Sequence, residues 1–119
     1  MLILENIISD RGSKYAVSGA ACASEAEAKE LLKTLKREKK FAKATHNTWG
    51  LICGDGPIKN DDGEAGAGMV ILRMLEREGL QDFVVVVTRW YGGVHLGGDR
   101  FAHVVTCVRA YLEALGRAP

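Results

Sequence analysis

Asp82–Arg100, DFVVVVTRWYGGVHLGGDR, decides how this chain folds. It opens on Phe83-Val84-Val85-Val86-Val87. Four consecutive β-branched residues restrict χ1 and disfavour helix. A continuous apolar run without polar alternation reads as a strand buried on both faces. The character then changes. Thr88-Arg89-Trp90-Tyr91 places a charge and two amphipathic rings at the strand's end, and Gly92-Gly93 and Gly97-Gly98 bracket Val94-His95-Leu96. Glycine pairs admit backbone shapes and close approaches that other residues cannot take. Asp99 reads as the cap of a following helix. A buried strand, a glycine loop and a helix start in succession mark a place where a site can be built.

Outward from this stretch, the spacing predicts the order ββαβαβα. Leu2–Ser9 and Lys14–Cys22 read as a hairpin about the Asp10-Arg11-Gly12-Ser13 turn. Ser24 with Glu27 forms a capping box ahead of a helix to about Lys39, with Ala28, Leu31, Leu32 and Leu35 on one face. Thr45–Cys53 reads as a third strand and Gly54–Gly63 as a polar loop. A helix is expected from near Glu64 to Glu78, with Ile71, Leu72 and Leu75 inward and Gly79 as its stop. The last helix spans about Arg100–Leu115 on the stripe Phe101, Val104, Val105, Val108, Leu112 and Leu115, ending at Gly116. The expectation is a single α+β domain over 1–119, a two-layer sandwich with a four-stranded sheet and helices on one face.

The bulk numbers narrow the function classes. A chain of 119 residues can bury roughly two thirds of its unfolded surface. The formal net charge is +1, so binding to nucleic acid would need a local patch. Cys22, Cys53 and Cys107 are odd in number and lack CxxC spacing. That argues against a disulfide framework and a zinc site and for free thiols in the cytoplasm. No apolar run reaches the length of a membrane span. The start, Met1-Leu2-Ile3-Leu4-Glu5, does not read as a signal peptide.

Asp61-Asp62-Gly63-Glu64 puts three carboxylates in four residues. They suit a helix N-terminus, an ion pair to Arg89 or Arg100, or a divalent cation, although the spacing is not that of an EF-hand. Arg89 could hold a phosphate or carboxylate, or pair internally with the acidic loop. Asp99 argues against an anion at the last helix, since it would occupy the same amides. Trp90 and Tyr91 suit base stacking, a protein hot spot or the core. As strand neighbours they face opposite ways. His46, His95 and His103 are scattered, with no triad order and no Walker loop. His46 with the acidic loop could serve as an acid–base pair of a hydrolase-like enzyme if folding brings them together. Lys33, Lys36, Arg37, Lys39, Lys40 and Lys43 are the densest basic feature, either a solvated helix face or an RNA or ribosome contact.

Three pieces occur in one order: Ala44-Thr45-His46-Asn47, Asp61-Asp62-Gly63-Glu64, and Thr88-Arg89-Trp90-Tyr91-Gly92-Gly93-Val94-His95-Leu96-Gly97. In this the chain resembles the Impact family, also known as the YigZ type. Gly98-Asp99-Arg100-Phe101-Ala102-His103 looks closer to the eukaryotic branch. The resemblance implies a fold like domain 2 of ribosomal protein S5. It also implies a non-enzymatic module regulating translation under stress. Eukaryotic members compete for the activator of a kinase that phosphorylates an initiation factor. They carry an RWD domain, and bacterial members a ferredoxin-like one; neither is expected here. The expected binding surface is His46, Asp61, Asp62, Glu64, Arg89, Trp90, Tyr91, Gly92, Gly93, His95 and Gly97. No cofactor, metal or membrane is expected, and the partner is a protein of the translation or stress-response machinery, or RNA or the ribosome.

Overall fold

The computed structural model describes residues 1–117. Its elements are β1 (Leu2–Asp10), β2 (Ser13–Ala21), α1 (Glu25–Lys36), α2 (Lys39–Ala42), β3 (His46–Cys53), β4 (Gly56–Asn60), α3 (Ala67–Glu78), β5 (Phe83–Trp90) and α4 (Asp99–Ala114). The five strands form one sheet in the order β1-β2-β5-β3-β4. Every pairing is antiparallel. The valine run is thus the central strand, flanked by β2 and β3.

The α+β class holds, and two particulars differ from the expectation. First, the sheet has five strands, not four. β4 lies inside the stretch read as a polar loop, where Pro57 speaks against a strand. Proline is tolerated at a sheet edge, where no second neighbour needs its missing N–H, and β4 is that edge. Second, helices cover both faces. Val85 and Val87 pack with Ile71, Leu75, Val104 and Val108 of α3 and α4. Val84 and Val86 pack with Ala28, Leu32, Leu35 and Phe41 of α1 and α2. A strand with no polar alternation needs apolar cover on each side, and α1 with α2 supplies the second.

Local departures have local causes. The long first helix is divided: α1 ends at Lys36, and α2 begins at Lys39. Ser24 Oγ accepts from the Glu27 amide at 3.1 Å, as a capping serine should. The poor alternation of β1 reflects a register shift between Leu4 and Ile8, with Asn6 at φ 56°. A bulge there changes which side chains face inward. α3 starts at Ala67, because Gly66 stands in the left-handed region at φ 87°. α4 starts at Asp99, but the Asp99 side chain does not cap it. Its carboxylate pairs instead with Arg11 at 2.5 Å.

α3 and α4 run side by side in the same direction. Gly66, before α3, faces the Phe101 ring of α4's first turn. At the far end Arg117 donates to the Glu78 carbonyl. Both helix starts therefore meet near the end of β5, and their positive dipole ends point there together.

Candidate functional site

β5 sets the site by alternation. Residues 85, 87 and 89 face the α3–α4 layer, so Arg89 follows two core valines and is itself only 6% exposed. A charge buried that deeply requires a partner, and Glu64, 4% exposed, provides it. Arg89 Nη1 stands 2.9 Å from Glu64 Oε1 and 3.1 Å from Oε2. Arg89 Nε and Nη2 reach Ser13 Oγ at 3.4 and 3.3 Å. Tyr15 and Tyr91 place their rings 5.8 and 5.5 Å from the guanidinium carbon. The Tyr15 hydroxyl finds no hydrogen-bond partner among the described residues, and burial pushes it up to about 12.

Glu64 gathers two more groups. Arg100 Nη1 donates to Oε1 at 3.3 Å, and His46 Nε2 lies 3.5 Å from Oε2. His46 Nδ1 is 2.8 Å from the Asp62 carbonyl. A carbonyl only accepts, so that nitrogen carries the proton. Two arginines against one carboxylate leave the cluster with a surplus positive charge.

The other two acids of the loop have separate tasks. Asp61 caps α3, accepting from Gly68 N at 2.8 Å and Gly66 N at 3.2 Å. Burial pushes its carboxyl up, but those amides and Lys59 outweigh burial and hold it below the usual value. Asp62 Oδ2 accepts the Asn47 amide of β3 at 2.7 Å. The alternatives for this loop thus divide by residue: Asp61 takes the capping role and Glu64 the ion pair. Among the described residues no group of three or more His, Cys, Asp or Glu is arranged around a metal ion.

Above the pair lies a cleft of about 480 Å³ lined by Thr45, His46, Gly63, Glu64, Arg89, Tyr91, His95, Leu96, Gly97 and Arg100. Tyr91 is 41% exposed, and its ring centroid is 5.7 Å from that of His95. Tyr91 N donates to Thr45 Oγ1 at 2.9 Å, tying the aromatic wall to the start of β3. The wall is also held from below. Gly92 N reaches Ser13 Oγ at 3.2 Å. A Cβ on Gly92 would lie 2.0 Å from the Gly12 carbonyl carbon, so only glycine permits this approach. Leu96 is buried as the cleft's floor.

Folding therefore brings together His46, Glu64, Arg89, Tyr91, His95 and Gly97 of the expected surface. Gly92 and Gly93 shape the loop beside it. Asp61 and Asp62 support it from behind. Trp90 is not part of it: odd and even positions of β5 face opposite layers, and its Nε1 donates to the Lys40 carbonyl at 3.0 Å. Its ring packs 5.5 Å from Phe41. His103 is likewise elsewhere, 2.8 Å from Asp10. Ser13, Thr45 and Arg100 lie outside the expected surface, although Arg100 stands among the expected ion-pair partners of the acidic loop. Thr45 and Arg100 do stand inside the quoted motifs. Ser13 had no signal beyond its place in the first turn.

The basic residues lie on the opposite layer. Lys33 and Lys36 are at the end of α1, Lys39 and Lys40 in α2, with Arg37 before α2 and Lys43 after it. Lys33 is 3.4 Å from Glu30, and Lys40 pairs with Glu5. Lys36, Arg37, Lys39 and Lys43 are exposed.

These features define a small α+β domain with a buried arginine–glutamate pair under a cleft where two helix starts meet. Residues 11–112 match the Impact N-terminal domain, and the chain belongs to the Impact family. It is 40% identical over 111 residues to Protein IMPACT of Bos taurus, covering 88% of this chain and 35% of that protein. It is 38% identical over 118 residues to the Protein IMPACT homolog of Saccharomyces cerevisiae, covering 93% and 44% respectively. The chain thus spans less than half the length of these relatives. Among solved structures, the two-domain translational regulator Yih1 superposes with a TM-score of 0.53 at 32% identity, covering 90% of this chain and 44% of Yih1. A hypothetical protein superposes at 0.66 with 21% identity, covering 96% of this chain and 57% of its own, a likeness of fold.

Proposed function

We propose that this chain is a non-enzymatic binding module of translation regulation and stress response, working in the cytoplasm. It seats an acidic group of a partner protein in the cleft over Arg89 and Glu64. The observation that carries this reading is the surplus charge. Arg89 and Arg100 share one carboxylate, and Arg100, which keeps 30% of its side chain accessible, lines the same cleft as the exposed ring of Tyr91. An accessible arginine in a cleft with an aromatic wall suits an acidic side chain with an apolar neighbour. The kinship with a protein described as a translational regulator supports the choice of process.

The geometry speaks against the acid–base alternative. His46 does reach Glu64, yet Glu64 is held by two arginines. A general base needs a lone pair open to substrate, and each oxygen of Glu64 lies against an arginine nitrogen. Capture of partners from lysate, with Tyr91→Ala and Arg100→Gln beside wild type, tests the module. Both residues are accessible, so the fold should survive. Loss of the captured translation proteins is expected. Equal recovery by both variants overturns the cleft as the binding surface.

One observation favours a second reading, RNA or ribosome binding. Lys36, Arg37, Lys39 and Lys43 form no ion pair within 4.0 Å among the described residues. RNA binding through them would weaken as salt rises, with a slope set by the phosphates neutralised. Titration of fluorescein-labelled single-stranded and duplex RNA at two salt concentrations tests it. Affinity unchanged by reversal of these four residues to Glu removes that surface.

A further inference from the structure

A second groove lies between α3 and α4, toward their C-terminal halves and away from the Arg89 cleft. It encloses about 430 Å³, within the range of ligand-binding clefts. Its floor is apolar: Val70 and Met74 from α3, Val105 and Leu112 from α4. Its rim is basic: Arg73 and Arg77 stand one turn apart on α3, and Arg109 faces them from α4. All three arginines are exposed, and none makes a salt bridge within 4.0 Å among the described residues. The one acid in the lining is Glu78, whose backbone carbonyl also receives Arg117. Three guanidiniums over an apolar floor, with one carboxylate, form a local excess on a chain whose net charge is +1.

The spacing is regular on both walls. Positions 70, 73, 74 and 77 share one face of α3, and 105, 109 and 112 share one face of α4. Each wall thus alternates apolar floor and basic rim along a helical repeat. We infer that this groove is a second interaction surface, which takes an acidic amphipathic segment of a partner protein. The segment's apolar side chains fill the Val70–Met74–Val105–Leu112 floor, and its carboxylates meet Arg73, Arg77 and Arg109. An apolar floor speaks for a peptide over RNA, because phosphate contacts alone would leave the floor uncovered. The inference does not depend on the Arg89 cleft, which opens at the other end of the same helices.

The test uses fluorescence anisotropy with peptides of ~12 residues, about three helical turns. One set carries Leu or Phe at i, i+3, i+4 and i+7 with Glu elsewhere, in all registers. A second set has the same composition with the apolar stripe scrambled, and a third is a fluorescein-labelled single-stranded RNA. Binding of the striped acidic set is expected to be at least ~10-fold tighter than that of the scrambled set. Arg73→Glu with Arg109→Glu should weaken it by a further ~10-fold or more. Tyr91→Ala with Arg100→Gln should leave it unchanged, which separates this groove from the cleft. The inference is overturned if striped and scrambled sets bind alike. It is equally overturned if no acidic peptide binds at ~1 mM, if the arginine reversals have no effect, or if those reversals abolish RNA binding alone.

Discussion

Replacing Glu64 by Gln should cost more than any surface charge change in this protein. Glu64 is 4% exposed, and its carboxylate faces Arg89, Arg100 and His46 at 2.9, 3.3 and 3.5 Å. The substituted amide would keep the shape and lose the charge, leaving Arg89 buried opposite a neutral group. Removing one partner of a buried ion pair costs about 3–5 kcal/mol, a large part of the ~5–15 kcal/mol that holds a domain together. Arg89→Met should cost about 3 kcal/mol, at the lower end, because Glu64 then retains Arg100 and His46. The double variant should be less destabilised than the two singles added, with a coupling of about 1–3 kcal/mol. Urea unfolding followed by the fluorescence of buried Trp49 and half-buried Trp90 measures all four species. Glu30→Gln is the control: its bridge to Lys33 has both side chains 72% exposed, and its loss should cost under ~0.5 kcal/mol. The reasoning fails if Glu64→Gln falls within ~0.5 kcal/mol of wild type, or if the two single effects simply add.

Further outcomes follow from single contacts. Hydrogen bonds from Arg11 and His103 hold the Asp10 carboxyl at about 2, below its ordinary 3.8. A depressed folded-state value stabilises above the unfolded value and is lost as pH falls through the folded one. Acid unfolding should therefore steepen between roughly pH 4 and 2, and Asp10→Asn should flatten that part of a pH titration of stability. Burial pushes the Cys107 thiol up to about 12, so at neutral pH iodoacetamide should label half-buried Cys53 first. Mass spectrometry should find Cys107 modified only at the rate of unfolding; early labelling of Cys107 would contradict its placement. Gly92→Ala forces backbone apart from Gly12 and should cost about 1–3 kcal/mol, with NMR shifts moving at Gly12 and Ser13. Unchanged stability would mean the two glycines do not touch. Gly19→Ala should cost a similar ~1–3 kcal/mol, since its Cβ would lie 2.4 Å from the Tyr111 ring; the urea midpoint checks it.

The parts of the fold legible in the sequence were those where one residue pattern serves one neighbour. Ile71, Leu72 and Leu75 repeat with the helix and are all buried. Ser24 caps because its hydroxyl reaches an amide three residues on. β4 was not legible, since an edge strand of Gly-Pro-Ile-Lys-Asn needs only one partner and carries one half-buried apolar side chain, Ile58. The second helical layer was legible in part. A run from Val84 to Val87 with no polar position already demands cover on both faces, whereas the hairpin and helix counts suggested one layer. When a strand's own composition and an architecture inferred from element order disagree, the strand is the better guide. Its side chains must be buried wherever the helices go.

The candidate site divides on the same physical ground. Arg89 and Glu64 were recognisable because a charge at the end of a valine strand has to be neutralised, and three carboxylates in one loop offered the partner. Which carboxylate it would be lay beyond the sequence. Asp61 and Asp62 are as close in sequence but reach backbone amides first: the short side chain of Asp61 meets Gly66 and Gly68 at the start of α3, and that of Asp62 meets the Asn47 amide of β3. Glu64, longer and just before α3, spans the gap to β5. That assignment also decides what the cleft offers a partner. Had Asp99 capped α4, as its position suggests, a carboxylate would stand at the helix start beside the cleft. Turned away to Arg11, it leaves Arg100 and the uncapped start of α4 as the dominant local field, so reversing Arg100 to Glu should abolish capture of an acidic partner, while Asp99→Asn should leave it intact.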